Sequence, residues 1–196
     1  MAHESLSGKD TVNMNAIVFV DVQKDFIDGA LCSKKAQELT PYIVDAAKLC
    51  KANGYRLYAT MDTHGKDYRD TLEGRRLPVA HCVEGTEGWF IDDRLAKVLD
   101  GNCTIVQKRT FGSLDLAEVI AEDFRDGGLE EIVLCGFCTD ICVISNALLL
   151  RARFPNVKIA IVSNLCAGTT EAAHEAALKV AESCQIDVVL NYENCR

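Results

Sequence analysis

Proline, basic residues and long apolar runs are all scarce in this sequence of 196 residues. With 3 prolines and 13 glycines, the chain lacks the composition of a linker-rich, collagen-like or small-strand all-β protein. No stretch reaches the roughly 18 consecutive apolar residues that a membrane-spanning helix needs. The 21 basic residues are outnumbered by 29 acidic ones, for a net charge of −8. That balance argues against nucleic acid or an anionic membrane as a partner.

Hydrophobic residues make up 48% of the chain and charged residues 26%, which is the mix of an ordinary globular protein. We expect one domain over 1–196, with a flexible tail over 1–14. The 10 cysteines are not needed as disulfides in a chain with this much apolar sequence. Because the first residues also lack an apolar signal core, a cytoplasmic protein with reduced thiols is predicted.

Strand-like and helix-like segments alternate along the whole chain. Apolar, β-branched runs predict strands at 16–21, 55–62, 103–108, 131–136, 157–163 and 186–190, and helical spacing predicts helices at 41–54, 89–99, 114–128, 141–154 and 170–184. Strands joined by helices pair in parallel through right-handed crossovers. The predicted fold class is α/β, a three-layer α/β/α sandwich with one six-stranded parallel sheet, Rossmann-like. Functional residues should follow the strands, at their carboxyl ends.

Three residues at those ends carry the chemistry of nucleophilic catalysis. Cys142 falls in the first turn of a predicted helix, where the helix dipole and free N–H groups favour a thiolate. Asp21, after the first strand, can take the thiol proton and return it to a leaving amine. Lys108, after the third strand, can stabilise negative charge. Backbone N–H groups of Cys138 and Cys142 can form an oxyanion hole.

A second set of residues has the composition of a metal site. Asp62 and His64 follow the second strand, and His81 returns from the irregular segment 63–88. A carboxylate and two imidazoles suit zinc, iron or manganese, with positions left open for water or substrate. Glu73 and Asp67 lie in the same segment and can add a ligand, directly or through water. The same residues are equally consistent with a solvated acidic loop.

Five segments together resemble the cysteine hydrolase superfamily that contains the isochorismatases and nicotinamidases. They are DVQKDF (21–26), MDTH (61–64), HCVEGTEG (81–88), KRTFGS (108–113) and GFCTDICV (136–143), in family order over nearly the whole chain. The resemblance implies an isochorismatase-like fold, a catalytic triad of Asp21, Lys108 and Cys142, and a cis peptide bond before Cys138.

The nicotinamidase branch of this superfamily is marked by the metal set that Asp62, His64 and His81 match. The resemblance therefore implies a divalent metal, with zinc first and iron or manganese as alternatives, and hydrolysis of nicotinamide to nicotinate and ammonia through a thioester. It is also consistent with a homo-oligomer. Phe26 and Phe137 are expected at the substrate. Leu77 stands where these enzymes usually carry a ring-stacking aromatic residue, which is a departure from the pattern.

Two other functions stay open on the sequence alone. The same catalytic residues serve family members that act on other small substrates, such as acyclic amides, carbamoyl compounds or vinyl ethers. Alternatively, Cys138 and Cys142 could serve a non-catalytic binding protein or thiol-redox module. Bound metal and a fit for a flat ring beside Phe26 favour the nicotinamidase, whereas a reversible disulfide without hydrolysis favours the redox module.

Overall fold

The computed structural model describes residues 15–192, so the predicted tail over 1–14 lies outside the described residues. The strands are β1 (Asn15–Val20), β2 (Arg56–Asp62), β3 (Cys103–Lys108), β4 (Glu131–Phe137), β5 (Lys158–Ala167) and β6 (Asp187–Val189). The helices are α1 (Lys24–Ile27), α2 (Lys34–Ala52), α3 (Leu72–Arg76), α4 (Asp93–Leu99), α5 (Leu114–Asp123), α6 (Ile144–Arg153) and α7 (Glu171–Ser183). Short 3₁₀ turns lie at Tyr68–Asp70 and Glu87–Trp89, and a π-helical turn lies at Thr139–Val143.

All six strands form one parallel sheet in the order β3-β2-β1-β4-β5-β6. The central strands β1 and β4 are buried almost throughout, because helices cover both faces of the sheet. One group of helices, α2 and α4, packs together, and α5, α6 and α7 form the other. The predicted three-layer α/β/α sandwich is therefore confirmed.

The first long helix starts earlier than its proline suggested. The prediction placed Pro41 at a helix start, but α2 begins at Lys34 and carries Pro41 in its interior. The hydroxyl of Ser33 accepts a hydrogen bond from the Ala36 N–H and caps the helix there. An interior proline costs a helix about 3 kcal/mol. The buried face of this 19-residue helix, which includes Ile43, offsets that cost.

Other element ends also differ from the prediction. The helix predicted over 89–99 begins only at Asp93, because the carboxylate of Asp92 caps it. The helix predicted over 114–128 ends at Asp123. The last predicted strand shrinks to Asp187–Val189. Local pattern places such ends poorly, since caps and tertiary packing decide them.

The carboxyl ends of four neighbouring strands meet at one edge of the sheet. The end of β2 pairs with the end of β3, Asp62 beside Lys108, and Val20 of β1 pairs with Gly136 of β4. Gly136 has a φ of 124°, and a Cβ there would lie 2.1 Å from the Val20 carbonyl oxygen. Only glycine allows β4 to approach β1 this closely, just before the turn that carries Cys142.

The state of the cysteines and the length of the helices are the remaining features of the fold. The nine cysteines between residues 15 and 192 are all free thiols. None of the helices in that range is long and apolar enough to cross a membrane.

Candidate active site

Asp21, Lys108 and Cys142 converge in one buried cluster at this edge of the sheet. Lys108 Nζ lies 2.7 Å from Asp21 Oδ2 and donates to Cys142 Sγ at 3.4 Å. The ammonium thus touches both the carboxylate and the sulfur. This is the arrangement that proton transfer from the thiol to the carboxylate requires.

The position of Asp21 is set by its backbone and by a neighbouring hydroxyl. Asp21 follows β1 with a left-handed φ of 49°, which is uncommon for a residue other than glycine. Thr60, on β2, donates its hydroxyl to Asp21 Oδ1 at 2.6 Å. Both oxygens of the carboxylate therefore have a defined partner, Thr60 on one side and Lys108 on the other.

Burial shifts the proton equilibria of the cluster. Burial raises the pKa of Asp21 above its ordinary value, although Lys108 opposes the rise. Burial also raises the pKa of the Cys142 thiol well above its ordinary value, and the charge of Asp21 adds to the rise. Loss of solvation opposes the helix dipole, so formation of the thiolate calls for a base that takes the proton.

The expected metal ligands form a second cluster that adjoins the first. Asp62, His64, Glu73 and His81 present ligand atoms that all lie within 4.8 Å of one another. Asp62 Oδ2 lies 2.9 Å from His64 Nε2 and 3.5 Å from His81 Nε2. Glu73 Oε1 lies 3.8 Å from His64 Nε2. We call these four residues the carboxylate–imidazole cluster.

The chemistry of this cluster fits a divalent metal ion. The carbonyl of Val79 lies 2.9 Å from His81 Nδ1, so a proton on Nδ1 leaves Nε2 free to face the cluster. Burial alone would raise the pKa of Asp62, but hydrogen bonds to His64 and His81 and the charge of Lys108 lower it below its usual range. Asp62 is therefore ionised. Asp67, the other acidic candidate, is exposed and is not one of the four.

Lys108 joins the two clusters. Its Nζ lies 3.4 Å from Asp62 Oδ1 and 2.7 Å from Asp21 Oδ2, and its side chain is almost fully buried. The charges of Asp21, Cys142 and Asp62 raise the pKa of Lys108 despite the opposing effect of burial. The ammonium is therefore charged and balances carboxylates on both sides.

The buried side chain of Gln23 fixes the end of β2 that carries Asp62. Its amide nitrogen donates to the carbonyl of Asp62 at 2.9 Å and to that of Trp89 at 2.7 Å, and its oxygen accepts from the Asp62 N–H at 2.7 Å. This one amide ties β2 to the 3₁₀ turn at Glu87–Trp89. Sequence analysis placed Gln23 in the motif DVQKDF but assigned it no role.

Asn146 performs a similar task for Cys142. It is fully buried on α6 and donates to the Cys142 carbonyl at 2.8 Å and to the Phe111 carbonyl at 3.2 Å. Its oxygen accepts from the Ser113 N–H at 2.9 Å. The segment after Lys108 is thereby fastened to the nucleophile. In the sequence, Asn146 is a polar residue of a mostly apolar helix, and only its tertiary contacts reveal its part.

The turn that carries Cys142 has the expected backbone. The peptide bond between Phe137 and Cys138 is cis, as the resemblance implied. The carbonyl of Cys138 accepts hydrogen bonds from the N–H groups of Ile141 and Val143 at 3.1 and 3.0 Å. We call Thr139–Val143 the nucleophile turn. The proposed oxyanion donors, the N–H groups of Cys138 and Cys142, lie at its start and within it.

The three residues expected at the substrate lie in different surroundings. The ring of Phe26 is buried and meets His81 edge-on, with centroids 5.8 Å apart. Phe137 is buried in the core at the end of β4. Leu77 is partly exposed, and its carbonyl accepts the hydroxyl of Tyr68 at 2.9 Å.

Tyr68 is an aromatic residue of this site that sequence analysis missed. Its ring is buried and lies 4.6 Å from that of His64 and 5.1 Å from that of His81, measured between centroids. The ring therefore borders the carboxylate–imidazole cluster on the side of the 3₁₀ turn at Tyr68–Asp70. Because Tyr68 lies in a polar, irregular segment, no sequence pattern indicated this contact.

The chain is similar to known proteins over most of its length. The family described as the isochorismatase domain matches residues 15–191. A nicotinamidase of Schizosaccharomyces pombe is 25% identical and aligns with 89% of this chain and 92% of its own. The crystal structure of a nicotinamidase/pyrazinamidase from Bacillus subtilis is 28% identical, with a TM-score of 0.75 over 89% of this chain and 98% of that one.

A third structure shares the fold at lower identity. The pyrazinamidase of Pyrococcus horikoshii, solved in complex with zinc, is 23% identical, with a TM-score of 0.76. It covers 90% of this chain, and this chain covers 98% of it.

Proposed function

The chain belongs to the isochorismatase family, and from that premise we propose that it is a nicotinamidase-like amide hydrolase with Cys142 as its nucleophile. The observation that carries the proposal is the double contact of Lys108, which lies 2.7 Å from Asp21 and 3.4 Å from Asp62. One lysine thus joins a cysteine–carboxylate pair to a carboxylate–imidazole cluster. That combination suits the attack of a thiol on an amide whose other end is held beside the cluster.

In the first half of the reaction, Asp21 takes the proton of Cys142 as the sulfur attacks the amide carbon. The raised pKa of Asp21 suits this task, since a base whose pKa lies closer to neutrality holds the proton better. Lys108 stabilises the sulfur as it gains charge. The N–H groups of Cys138 and Cys142 donate to the oxygen of the tetrahedral intermediate. Asp21 then protonates the leaving nitrogen, which departs as ammonia and leaves a thioester on Cys142.

The second half repeats these roles with water. Asp21 accepts a proton from a water molecule as the oxygen of that water attacks the thioester carbon. The carbon–sulfur bond breaks, and Cys142 recovers the proton. The products are a carboxylic acid and the free thiol, so one water is consumed and one ammonia released for each amide.

Asp62, His64, His81 and Glu73 would hold the metal, and zinc is our first choice because two imidazoles and carboxylates are common zinc ligands. Iron and manganese accept the same donors. The metal would supply a Lewis-acidic site that binds a ring nitrogen and so orients the amide toward Cys142. Phe26 lies against His81, where a flat ring held at the metal can contact it.

Nicotinamide is the substrate that we propose, because similar proteins named nicotinamidase cover nearly the whole chain. Its hydrolysis would place the enzyme in NAD metabolism. Assembly into a homo-oligomer stays a prediction. The thiol-redox alternative is disfavoured, because it needs a second reactive thiol and burial raises the pKa of Cys138 to about 12.

The test is ammonia release by the purified, metal-loaded protein from nicotinamide, an acyclic amide and an N-carbamoyl compound. Cys142→Ala is the matched control for the nucleophile, and Cys32→Ala, which changes an exposed thiol, is its counterpart away from the site. We expect release from nicotinamide, lost in Cys142→Ala and retained in Cys32→Ala. Release from another compound but not from nicotinamide would refute the substrate and keep the hydrolase. No release from any of the three would refute the proposed activity.

A further inference from the structure

The nucleophile turn is held by contacts with the chain that leads into α7. Thr139 Oγ1 and His174 Nδ1 share a hydrogen bond of 2.8 Å. Beside it, Asp140 accepts from the N–H of Thr169 at 2.7 Å and from the Thr169 hydroxyl at 2.6 Å. Two successive residues of the turn are therefore fastened to the segment at the start of α7. Neither the family pattern used above nor the proposed reaction assigns a role to this contact.

His174 supplies the hydrogen-bonding partner of the buried Thr139 hydroxyl. Thr139 is fully buried, and its hydroxyl would be costly to leave unpaired. His174 lies on the inner side of α7, half-buried, and reaches that hydroxyl across 35 positions of sequence. Space around it is also restricted, because a Cβ on Gly168 would lie 2.8 Å from Asp140 Oδ1 and 2.9 Å from the His174 backbone. The close approach of these three residues keeps the turn and the helix in contact.

Thr139 directly follows Cys138 and precedes Cys142 by three positions. A shift of Thr139 would therefore move both proposed oxyanion donors relative to Lys108, which lies 3.4 Å from the sulfur. Displacements of about 1 Å at a reacting centre can reduce rates by about 100-fold. Asn146 holds the far side of the same turn through the Cys142 carbonyl. His174 and Asn146 thus restrain the nucleophile turn from opposite ends.

We propose that His174 is a positioning residue that fixes the nucleophile turn through the hydroxyl of Thr139, and so sets the reactivity of Cys142. The proposal deepens the proposed function and rests on it for its kinetic readout. It makes His174 a determinant of kcat rather than of substrate binding, because His174 touches the turn and none of the residues expected at the substrate.

The test is a double-mutant cycle on the hydrogen-bonded pair. His174→Ala and Thr139→Val remove one partner each, while His174→Asn and Thr139→Ser keep a hydrogen-bonding group near its original place. We expect kcat to fall about tenfold in each of the first two variants, as loss of one hydrogen bond predicts, with KM nearly unchanged. The double variant should be no slower than either single one. His174→Asn and Thr139→Ser should keep most of the kcat of the parent chain.

A second readout does not depend on the substrate. Alkylation of Cys142 by iodoacetamide, followed by mass spectrometry of the peptide that contains it, reports the reactivity of the sulfur directly. We expect His174→Ala and Thr139→Val to change the alkylation rate of Cys142 by equal factors relative to the parent chain. His174→Asn should keep a rate close to that of the parent chain. If the protein fails to hydrolyse nicotinamide but this pattern appears, the proposed function falls and the role of His174 stands.

The proposal is overturned by either of two results in variants that circular dichroism shows to be folded. One is a His174→Ala protein whose kcat and Cys142 alkylation rate equal those of the parent chain. The other is a double variant whose losses multiply, since that would mean that His174 and Thr139 act independently. Removing an exposed side chain of the same helix, as in Val180→Ala, controls for general effects on α7.

Discussion

Replacing Asp21 by asparagine should both destabilise the protein and disable its chemistry. The side chains of Asp21 and Lys108 are 0% and 1% exposed, and their charges lie 2.7 Å apart. An amide at position 21 that keeps its oxygen toward the Thr60 hydroxyl turns its NH₂ group toward the Lys108 ammonium. A donor then faces a donor, and the buried lysine loses its nearest anion.

The cost follows from what remains around Lys108. Removing one partner of a buried ion pair typically costs about 3–5 kcal/mol. Asp62, at 3.4 Å, still balances part of the lysine charge, so we expect about 3 kcal/mol, near the lower end of that range. With a urea dependence of about 2 kcal/mol per molar, the unfolding midpoint should fall by about 1.5 M. Loss of the base should reduce kcat by about 100-fold or more.

Urea unfolding followed by circular dichroism measures the first effect, and ammonia release the second. Asp45→Asn is the matched control, because it breaks a Lys48 ion pair of similar length, 2.8 Å, on the exposed face of α2. That change should cost about 0.5 kcal/mol or less. If Asp21→Asn shifted the midpoint no more than Asp45→Asn, or kept a tenth or more of the parent kcat, the buried-pair argument would be refuted.

Three further changes test other parts of the site. His81→Ala should abolish binding of one divalent metal ion per chain, measured by elemental analysis after dialysis; full retention would contradict the ligand assignment. Gln23→Ala should weaken metal binding about tenfold in a chelator competition, because the backbone of Asp62 loses its support; unchanged affinity would show that Asp62 is held without it. Tyr58→Phe removes a hydroxyl that donates to Asp123 at 2.7 Å, and it should lower the free energy of unfolding in urea by about 1 kcal/mol without changing ammonia release. A loss of activity in this variant would contradict the placement of the active site at the other end of the sheet.

Strand-end residues were the part of the site that sequence could predict. Parallel strands with apolar, β-branched runs leave a clear pattern, and their carboxyl ends must meet at one edge of the sheet. Asp21, Asp62 and Lys108 come at those ends, so their convergence follows from the fold alone. His81 was harder, since it returns from an irregular segment; the residue types suggested it as a ligand, and the resemblance strengthened that expectation.

The remaining features depend on contacts that no local pattern encodes. The helix-start argument for Cys142 is local, whereas the loss of solvation that raises the pKa of its thiol comes from the whole surrounding core. Gln23, Asn146 and His174 act through hydrogen bonds to residues distant in sequence. The start of α2 was misplaced because proline is usually read as a helix boundary, while the cap at Ser33 decides it.

The central claim is that Cys142 attacks an amide carbon and carries the acyl group as a thioester. Rapid acid quenching of the metal-loaded protein with nicotinamide, followed by intact-mass measurement and peptide mapping, tests it most directly. The account predicts a mass gain of one nicotinoyl group on the peptide that contains Cys142, absent from Cys142→Ala and lost on treatment with hydroxylamine. Ammonia release in the Cys142→Ala protein at the rate of the parent chain would contradict it.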